Sequence, residues 1–309
     1  MSLHSEILEQ PQRLEGLLKS QRAAAEAVAR AIRTRGVSYV FLAARGTSDN
    51  AGRYANYLLG AMNGLPLALA TPSLFTYYQR PPRLEGALVV GISQSGQSPD
   101  IVSVVEESRR QGCMTLAITN APDSPMARAA DFLLDIQSGP EQAVAATKTY
   151  TAELMSIAML SAALDPGRLG WESLARLPDW VAQALQYDAA MAAAVQRYRY
   201  ARQCVVLGRG YNYATAFEWA LKLKELTYME AEPYSPADFQ HGPIAMVERG
   251  FPVMAMVAAG PVAQSLVPLL GKLKQELMAD LQVISTLAEA LSLADPAFAL
   301  PADIPEALT

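Results

Sequence analysis

Apolar residues open the chain at helical spacing. Ile7, Leu8, Leu14, Leu17 and Leu18 lead into the alanine-rich run 23–32, which predicts leader helices over residues 1–35. After Gly36 the period changes. The stretch "VSYVFLAARGTSDNAGRYANYLLGAM" reads as a short β-branched and aromatic strand, a glycine turn and an amphipathic helix, and "GALVVGISQSGQSPDIVSVVEESRRQG" repeats that order. "MTLAITN" and "DFLLDI" add two strands. Strands alternating with helices at this spacing call for a parallel sheet with helices on both faces. Residues 166–195, with Pro166, Pro178 and Trp180, read as a connector with helical pieces.

The first pattern then returns. "YVFLAARGTSDNAGRYA" is answered by "QCVVLGRGYNYATAFEWA", and "GALVVGISQSGQ" by "GFPVMAMVAAGP". Gly46 and Gly210, Gly86 and Gly250, and Gly96 and Gly260 are each separated by 164 positions. Equal offsets mark a duplicated unit, each copy large enough for its own core. The expected fold class is α/β: two tandem doubly wound parallel-sheet domains, at 36–165 and 196–309. The apolar helix "AELMSIAMLSAAL" closes the first copy, and its counterpart would fall beyond Thr309. The second copy is therefore expected to lack that helix, leaving its face to another element or a partner subunit.

A chain of 309 residues that is 51% hydrophobic can fill cores of this size. The net charge of -5 is spread without a Lys/Arg cluster, which argues against a nucleic-acid or anionic-membrane partner. Cys113 and Cys204 stand alone beside apolar segments, as core residues of a chain in a reduced, cytoplasmic setting. No apolar run reaches the roughly 18 residues of a membrane span, and "MSLHSEILEQ" lacks a signal-peptide core. A small soluble ligand is the default.

The loop in "GISQSGQSPD" follows a buried strand, at the edge of a doubly wound sheet where ligands bind. Its backbone N–H groups, the hydroxyls of Ser93, Ser95 and Ser98, the Gln94 amide and the start of the next helix suit an oxyanion, and a phosphate is the expected ligand. Ser98-Pro99 also reads as an ordinary helix start, which leaves Ser93, Gln94 and Ser95 unexplained. The second copy has "VAAGPVAQ" at this place and has lost the hydroxyls. Thr47 and Ser48, in the turn "GTSDN", either reach the same ligand or cap a helix. Neither loop is GxGxxG or precedes a Walker lysine, so no nucleotide cofactor is expected, and no ligand cluster implies a metal.

In the second copy Glu218, Lys222 and Glu225 fall at i, i+4 and i+7 on one helical stripe. The stripe is either a surface ion-pair row or, because its helix follows the Gly208-Arg209-Gly210 turn at a strand end, a proton-transfer group beside a crevice. His241, before Gly242-Pro243 in a polar loop, suits acid–base work near neutral pH. In "SGPEQAVAATKTYTAEL", Glu141 either lines a pocket or favours the positive end of a helix.

Taken together, "GISQSGQSPD", "GPEQAVAATKTYT", "LGRGYNYATAFEWALKLKEL" and "AEPYSPADFQHGP" resemble the double sugar-isomerase (SIS) module of glucosamine-6-phosphate synthase and its stand-alone relatives. "SQSGxSPD" and "VAATK" are most similar to the SIS-type glucosamine-6-phosphate deaminases. The resemblance covers about residues 35–309 and implies flavodoxin-like domains, a phosphosugar substrate, no cofactor and a homodimer. It implies that Ser93, Gln94, Ser95 and Ser98, with Thr47 and Ser48, hold the sugar phosphate. It assigns Glu225 to the proton shuttle between C1 and C2, Lys222 to the sugar oxygens and His241 to ring opening, the histidine able to come from across the dimer. Glu141 matches a pocket glutamate, and Val144, Ala145 and Ala146 the backbone near the sugar. The chain departs from the synthase at Arg45, where that family has cysteine, and at Ala146, where it has serine. The family's C-terminal tail with its lysine has no counterpart in these residues, and neither has a glutaminase domain.

The expected activity is that of an aminosugar-phosphate deaminase/isomerase, converting glucosamine 6-phosphate to fructose 6-phosphate and ammonia. The alternatives are a phosphosugar isomerase or fructosamine-phosphate deglycase of the same fold, a synthase-like isomerase without glutaminase, and a non-catalytic sugar-phosphate sensor.

Overall fold

The computed structural model describes residues 2–309, and the chain divides after Pro178 into two compact units. The leader forms α1 (Leu3–Leu8), started by a Ser2–Ser5 capping box, and α2 (Gln10–Arg35), closed by Gly36 in the left-handed conformation. The first unit continues through β1 (Tyr39–Ala43), α3 (Thr47–Asn63), β2 (Leu67–Leu69), α4 (Ser73–Thr76), β3 (Ala87–Ile92), α5 (Pro99–Arg110), β4 (Met114–Thr119), α6 (Pro125–Ala129), β5 (Phe132–Asp135) and α7 (Lys148–Leu164). Its five strands are all parallel, in the order β2-β1-β3-β4-β5. The short β2 was not legible in the hydropathy pattern.

Side chains alternate across the sheet, so each strand feeds two cores. Phe41, Ala43 and Val89 join Ile101, Val104 and Val105 of α5 and Met126 of α6 on one face. Val40, Leu42, Leu88 and Val90 point the other way, toward the layer of α2, α3 and α7. Helix α7 is buried almost all round from Met155 to Ala163, because "MSIAMLSAA" offers no polar face and its neighbours leave none exposed.

Helix α8 (Trp171–Leu185) contains Pro178 and spans the division between the units. The second unit then runs through α9 (Asp188–Ala194), a 3-10 turn (Val195–Tyr198), β6 (Gln203–Leu207), α10 (Asn212–Thr227), β7 (Glu230–Tyr234), α11 (Pro236–Gln240), β8 (Pro252–Val257), α12 (Ala263–Gln275), β9 (Asp280–Ser285), α13 (Ala288–Ser292) and β10 (Ala297–Ala299). Its parallel sheet, β10-β9-β8-β6-β7, has the same order as the first, read from the other end. Two glycine pairs at the 164-residue offset share a conformation: φ is 57° at Gly46 and 63° at Gly210, 78° at Gly86 and 79° at Gly250.

Val205, Leu207, Val253 and Val283 pack with Phe239 of α11 and with α12, whereas Cys204, Val206 and Met254 pack with Ala216 and Ala220 of α10. Among the described residues no helix of this unit corresponds to α7. The connector takes part of its place: Tyr187 meets Phe298 of β10 edge to face at 5.5 Å, Tyr198 joins the α10 cluster, and Arg197 pairs with Asp280 at 3.1 Å. Burial pushes the Cys204 thiol and the Tyr198 hydroxyl each up to about 12, as befits core groups. No helix among the described residues is long and apolar enough to cross a membrane.

Candidate functional site

In a sheet ordered 2-1-3-4-5 the direction of winding reverses between the first and third strands, and the crevice opens beyond their carboxyl ends. In the first unit that point lies between β1 and β3, flanked by Ala44-Arg45-Gly46 and by Ser93–Ser98. The second loop is folded upon its own backbone. The N–H of Gly96 donates to the Ser93 carbonyl and Ser93 Oγ, both at 3.2 Å, and the N–H of Gln97 donates to Ser95 Oγ at 3.3 Å. Both hydroxyls therefore act as acceptors within the loop, leaving their protons to donate outward. Among the described residues the N–H groups of Gln94, Ser95 and Ser98 find no acceptor. Ser98 sits at the N-cap of α5 without a side-chain capping bond, so that helix end is also left open to an anion.

Gly96 makes this loop sterically feasible: it is buried with φ at 59°, and a Cβ there would collide with Ser124 and come within 3.1 Å of Thr119 Oγ1. Arg45 reaches across the crevice to Asp100 at 2.8 Å, and Thr76 donates to the same carboxylate at 3.3 Å, tying the loop after β1 to the start of α5. Asn120, at the end of β4, was missed in the sequence. Its N–H donates to the Gln94 carbonyl, its Nδ2 to the Gly139 carbonyl at 2.8 Å, and its Oδ1 accepts from the Ser138 N–H. It is a strut between the loops after β3 and β5, and its only sequence signal is a polar residue directly after a buried strand.

Several of the expected site residues have partners within the protein. Ser48 is buried and donates to Glu153 Oε1 of α7 at 2.8 Å, so it ties two helices together. Glu141 takes the helix-end alternative: its carboxylate accepts from the Thr147 N–H at 2.8 Å, the Thr147 hydroxyl at 2.9 Å and the Thr149 hydroxyl, capping α7. Ala145 is buried, while Val144 projects with 99% of its surface exposed and Ala146 is half-buried. Thr47 is half-buried at the first position of α3. In the same turn, burial pushes the Asp49 carboxyl up, against the opposing pull of Arg53 and Arg45.

In the second unit the stripe on α10 is real. Lys222 Nζ lies 3.3 Å from Glu218 Oε1 and 2.6 Å from Glu225 Oε2. The stripe runs away from the Gly208-Arg209-Gly210 turn that precedes the helix. Glu225 belongs to the last turn of α10, roughly 20 Å along the axis from Asn212 at 1.5 Å per residue. His241, exposed at the C-cap of α11, follows the helix on the opposite face of the sheet, and no hydrogen bond or ion pair links it to Glu225. Within the unit these two groups are not brought together.

A cavity of about 510 Å³ lies at the other edge of the first unit, but its polar groups are engaged. There Arg33 donates to the carbonyls of Ala163 and Leu164, Asn63 to Ser161, and Arg168 to Ala61. Among the described residues no cluster of His, Cys, Asp and Glu could hold a metal ion.

A family model described as SIS domain matches residues 36–163 and 198–284. A glutamine–fructose-6-phosphate aminotransferase (isomerizing) of Thermus thermophilus is 35% identical over 271 residues, which cover 83% of this chain but 44% of that protein. The chain thus spans less than half the length of that relative. A crystal structure from Silicibacter pomeroyi DSS-3, of a protein provisionally named a phosphosugar isomerase, superposes with a TM-score of 0.85 at 34% identity, covering 96% of this chain and 88% of that one. The C-terminal domain of glucosamine-fructose-6-phosphate aminotransferase from Francisella tularensis gives 0.82 at 27% identity, covering 91% and 82%.

Proposed function

The chain belongs to the SIS domain family, and from that premise we propose that it is a phosphosugar isomerase acting on an aminosugar phosphate. The observation that carries the reading is the loop after β3, where N–H groups without acceptors among the described residues and two serine hydroxyls stand beside an uncapped helix start at the sheet's switch point. A phosphate dianion matches that donor set better than a neutral ligand does.

The proposed substrate is glucosamine 6-phosphate. Ser93, Gln94, Ser95 and Ser98, with Thr47, hold its phosphate. His241, supplied from a second copy of the chain, opens the ring by moving a proton between the C1 hydroxyl and the ring oxygen. Glu225 takes the proton from C2 and returns it to C1, leaving an imine at C2 that water hydrolyses to fructose 6-phosphate and ammonia. Lys222 holds the Glu225 carboxylate through a charge-assisted bond, is steadied by Glu218, and approaches the sugar oxygens from between them.

The test is to incubate the chain with glucosamine 6-phosphate and assay ammonia and fructose 6-phosphate together. Release of both is expected. Glu225→Gln should lower kcat by about a thousandfold while leaving phosphosugar affinity within about twofold. Exchange of the C2 hydrogen without ammonia would leave an isomerase and remove the deaminase; full activity in Glu225→Gln would remove the base.

A further inference from the structure

We propose that Glu6, on the leader helix α1, is a positioning residue that holds the loop 139–147, which Asn120 ties to the loop after β3, in shape from outside the strand–loop–helix unit, an assignment that rests on the proposed sugar-phosphate function.

Glu6 has no exposed surface, and a buried carboxylate must find hydrogen-bond donors or cations. Its two oxygens accept from two successive backbone N–H groups, Gln142 at 2.6 Å and Ala143 at 3.2 Å. Paired N–H groups of this kind make a concavity for an oxyanion, and here the protein supplies the anion itself.

At the far end of the same segment Glu141 caps α7 through Thr147 and Thr149. Val144, Ala145 and Ala146 are thus suspended between two carboxylate anchors. Val144, fully exposed, adds no packing of its own to the shape of this stretch. The leader adds two further ties. Glu9 accepts from Lys148 Nζ at 3.0 Å and from Arg13 Nη2 at 2.8 Å, and the Arg13 guanidinium lies so close to Gly139 that a Cβ there would approach it to 2.9 Å. The hydrogen bonds from Arg13 and Lys148 hold the Glu9 carboxyl below the usual carboxylate range. These polar ties run to backbone or to the base of α7, which suits a brace for main-chain geometry.

The experiment compares the full chain with its Glu6→Ala and Glu6→Gln variants. Amide hydrogen exchange is followed at Gln142 and Ala143, and kcat and KM are measured with glucosamine 6-phosphate. In Glu6→Ala both amides should exchange faster and KM should rise about tenfold with kcat within about twofold, since a loop displaced by a fraction of an ångström costs substrate alignment. Glu6→Gln retains one acceptor oxygen and should fall between; it carries the test if the alanine variant does not fold. Faster exchange with unchanged KM would show a merely structural tie and overturn the proposal, as would unchanged exchange. A wild-type chain that neither binds nor converts a sugar phosphate overturns the functional reading and the KM claim together, while exchange at Gln142 and Ala143 still reads the tether by itself.

Discussion

The crevices of the two units have the same strand order and opposite contents. In the first, the loop after β3 presents Ser93, Gln94, Ser95 and Ser98 around a buried Gly96. In the second, the loop after β8 is Ala258-Ala259-Gly260-Pro261-Val262; the N–H of Ala259 is taken by Thr286 Oγ1 at 2.7 Å, and the carboxylate of Glu306 lies against Gly260. The glycine pairs that agree in φ lie outside this loop, while Gly96 at 59° and Gly260 at 159° do not agree. Topology makes a crevice twice, but only the first loop adds serine hydroxyls to its backbone donors. In the second copy a carboxylate lies against the loop glycine, where the first has the Ser124 side chain.

The sharpest way to break this comparison is to write the second loop's chemistry into the first. Ser93→Ala, Ser95→Ala and Ser98→Ala combined should weaken fructose 6-phosphate binding by about a thousandfold, at about 1.5 kcal/mol for each hydrogen bond to a charged group. Calorimetric titration reads this directly, and affinity within a few-fold of wild type would mean that the phosphate lies elsewhere.

A smaller effect separates the loop glycines. Gly96→Ala combines left-handed strain with a collision at Ser124, about 2–4 kcal/mol in all. Gly210→Ala meets Val262 at 3.2 Å and Glu306 Oε1 at an ordinary 3.5 Å, and should lose about 1–2 kcal/mol, mostly strain. Denaturant unfolding of both variants ranks them, and equal losses would show that close packing at Gly96 adds nothing.

The smallest concerns Glu306, whose carboxyl is pushed up by burial. A carboxyl raised in the folded state binds its proton more tightly there than in the unfolded chain. Its stabilising contribution is therefore complete below the ordinary carboxylate range and fades as pH rises through the raised value. Glu306→Gln, which stays neutral, should gain about one degree in Tm at pH 7 and nothing at pH 4. A loss at pH 7 would mean that the carboxylate is held by donors, as a bound anion would be.

Much of the fold was legible because strand and helix periods are local. The four longest strand segments of the first unit, the loop after β3 and the i, i+4, i+7 stripe on α10 all follow from spacing along the chain. The repeat was legible too, since left-handed turns require glycine at fixed places. Ser48 shows where such reading stops: nothing in the first turn of a helix announces that its serine donates to Glu153, on a helix a hundred residues later.

By itself the sequence determined two doubly wound sheets, the loss of hydroxyls from one of them and the residue types able to hold a phosphate and move a proton. Tertiary structure alone decided that Glu141 caps a helix, that Asn120 and Glu6 brace loops distant in sequence, and that Glu225 and His241 sit on opposite faces of one sheet. The reason is physical. Periodicity records which face of an element meets a core, whereas a hydrogen bond between distant segments depends on how the faces are stacked, and no local pattern encodes that stacking.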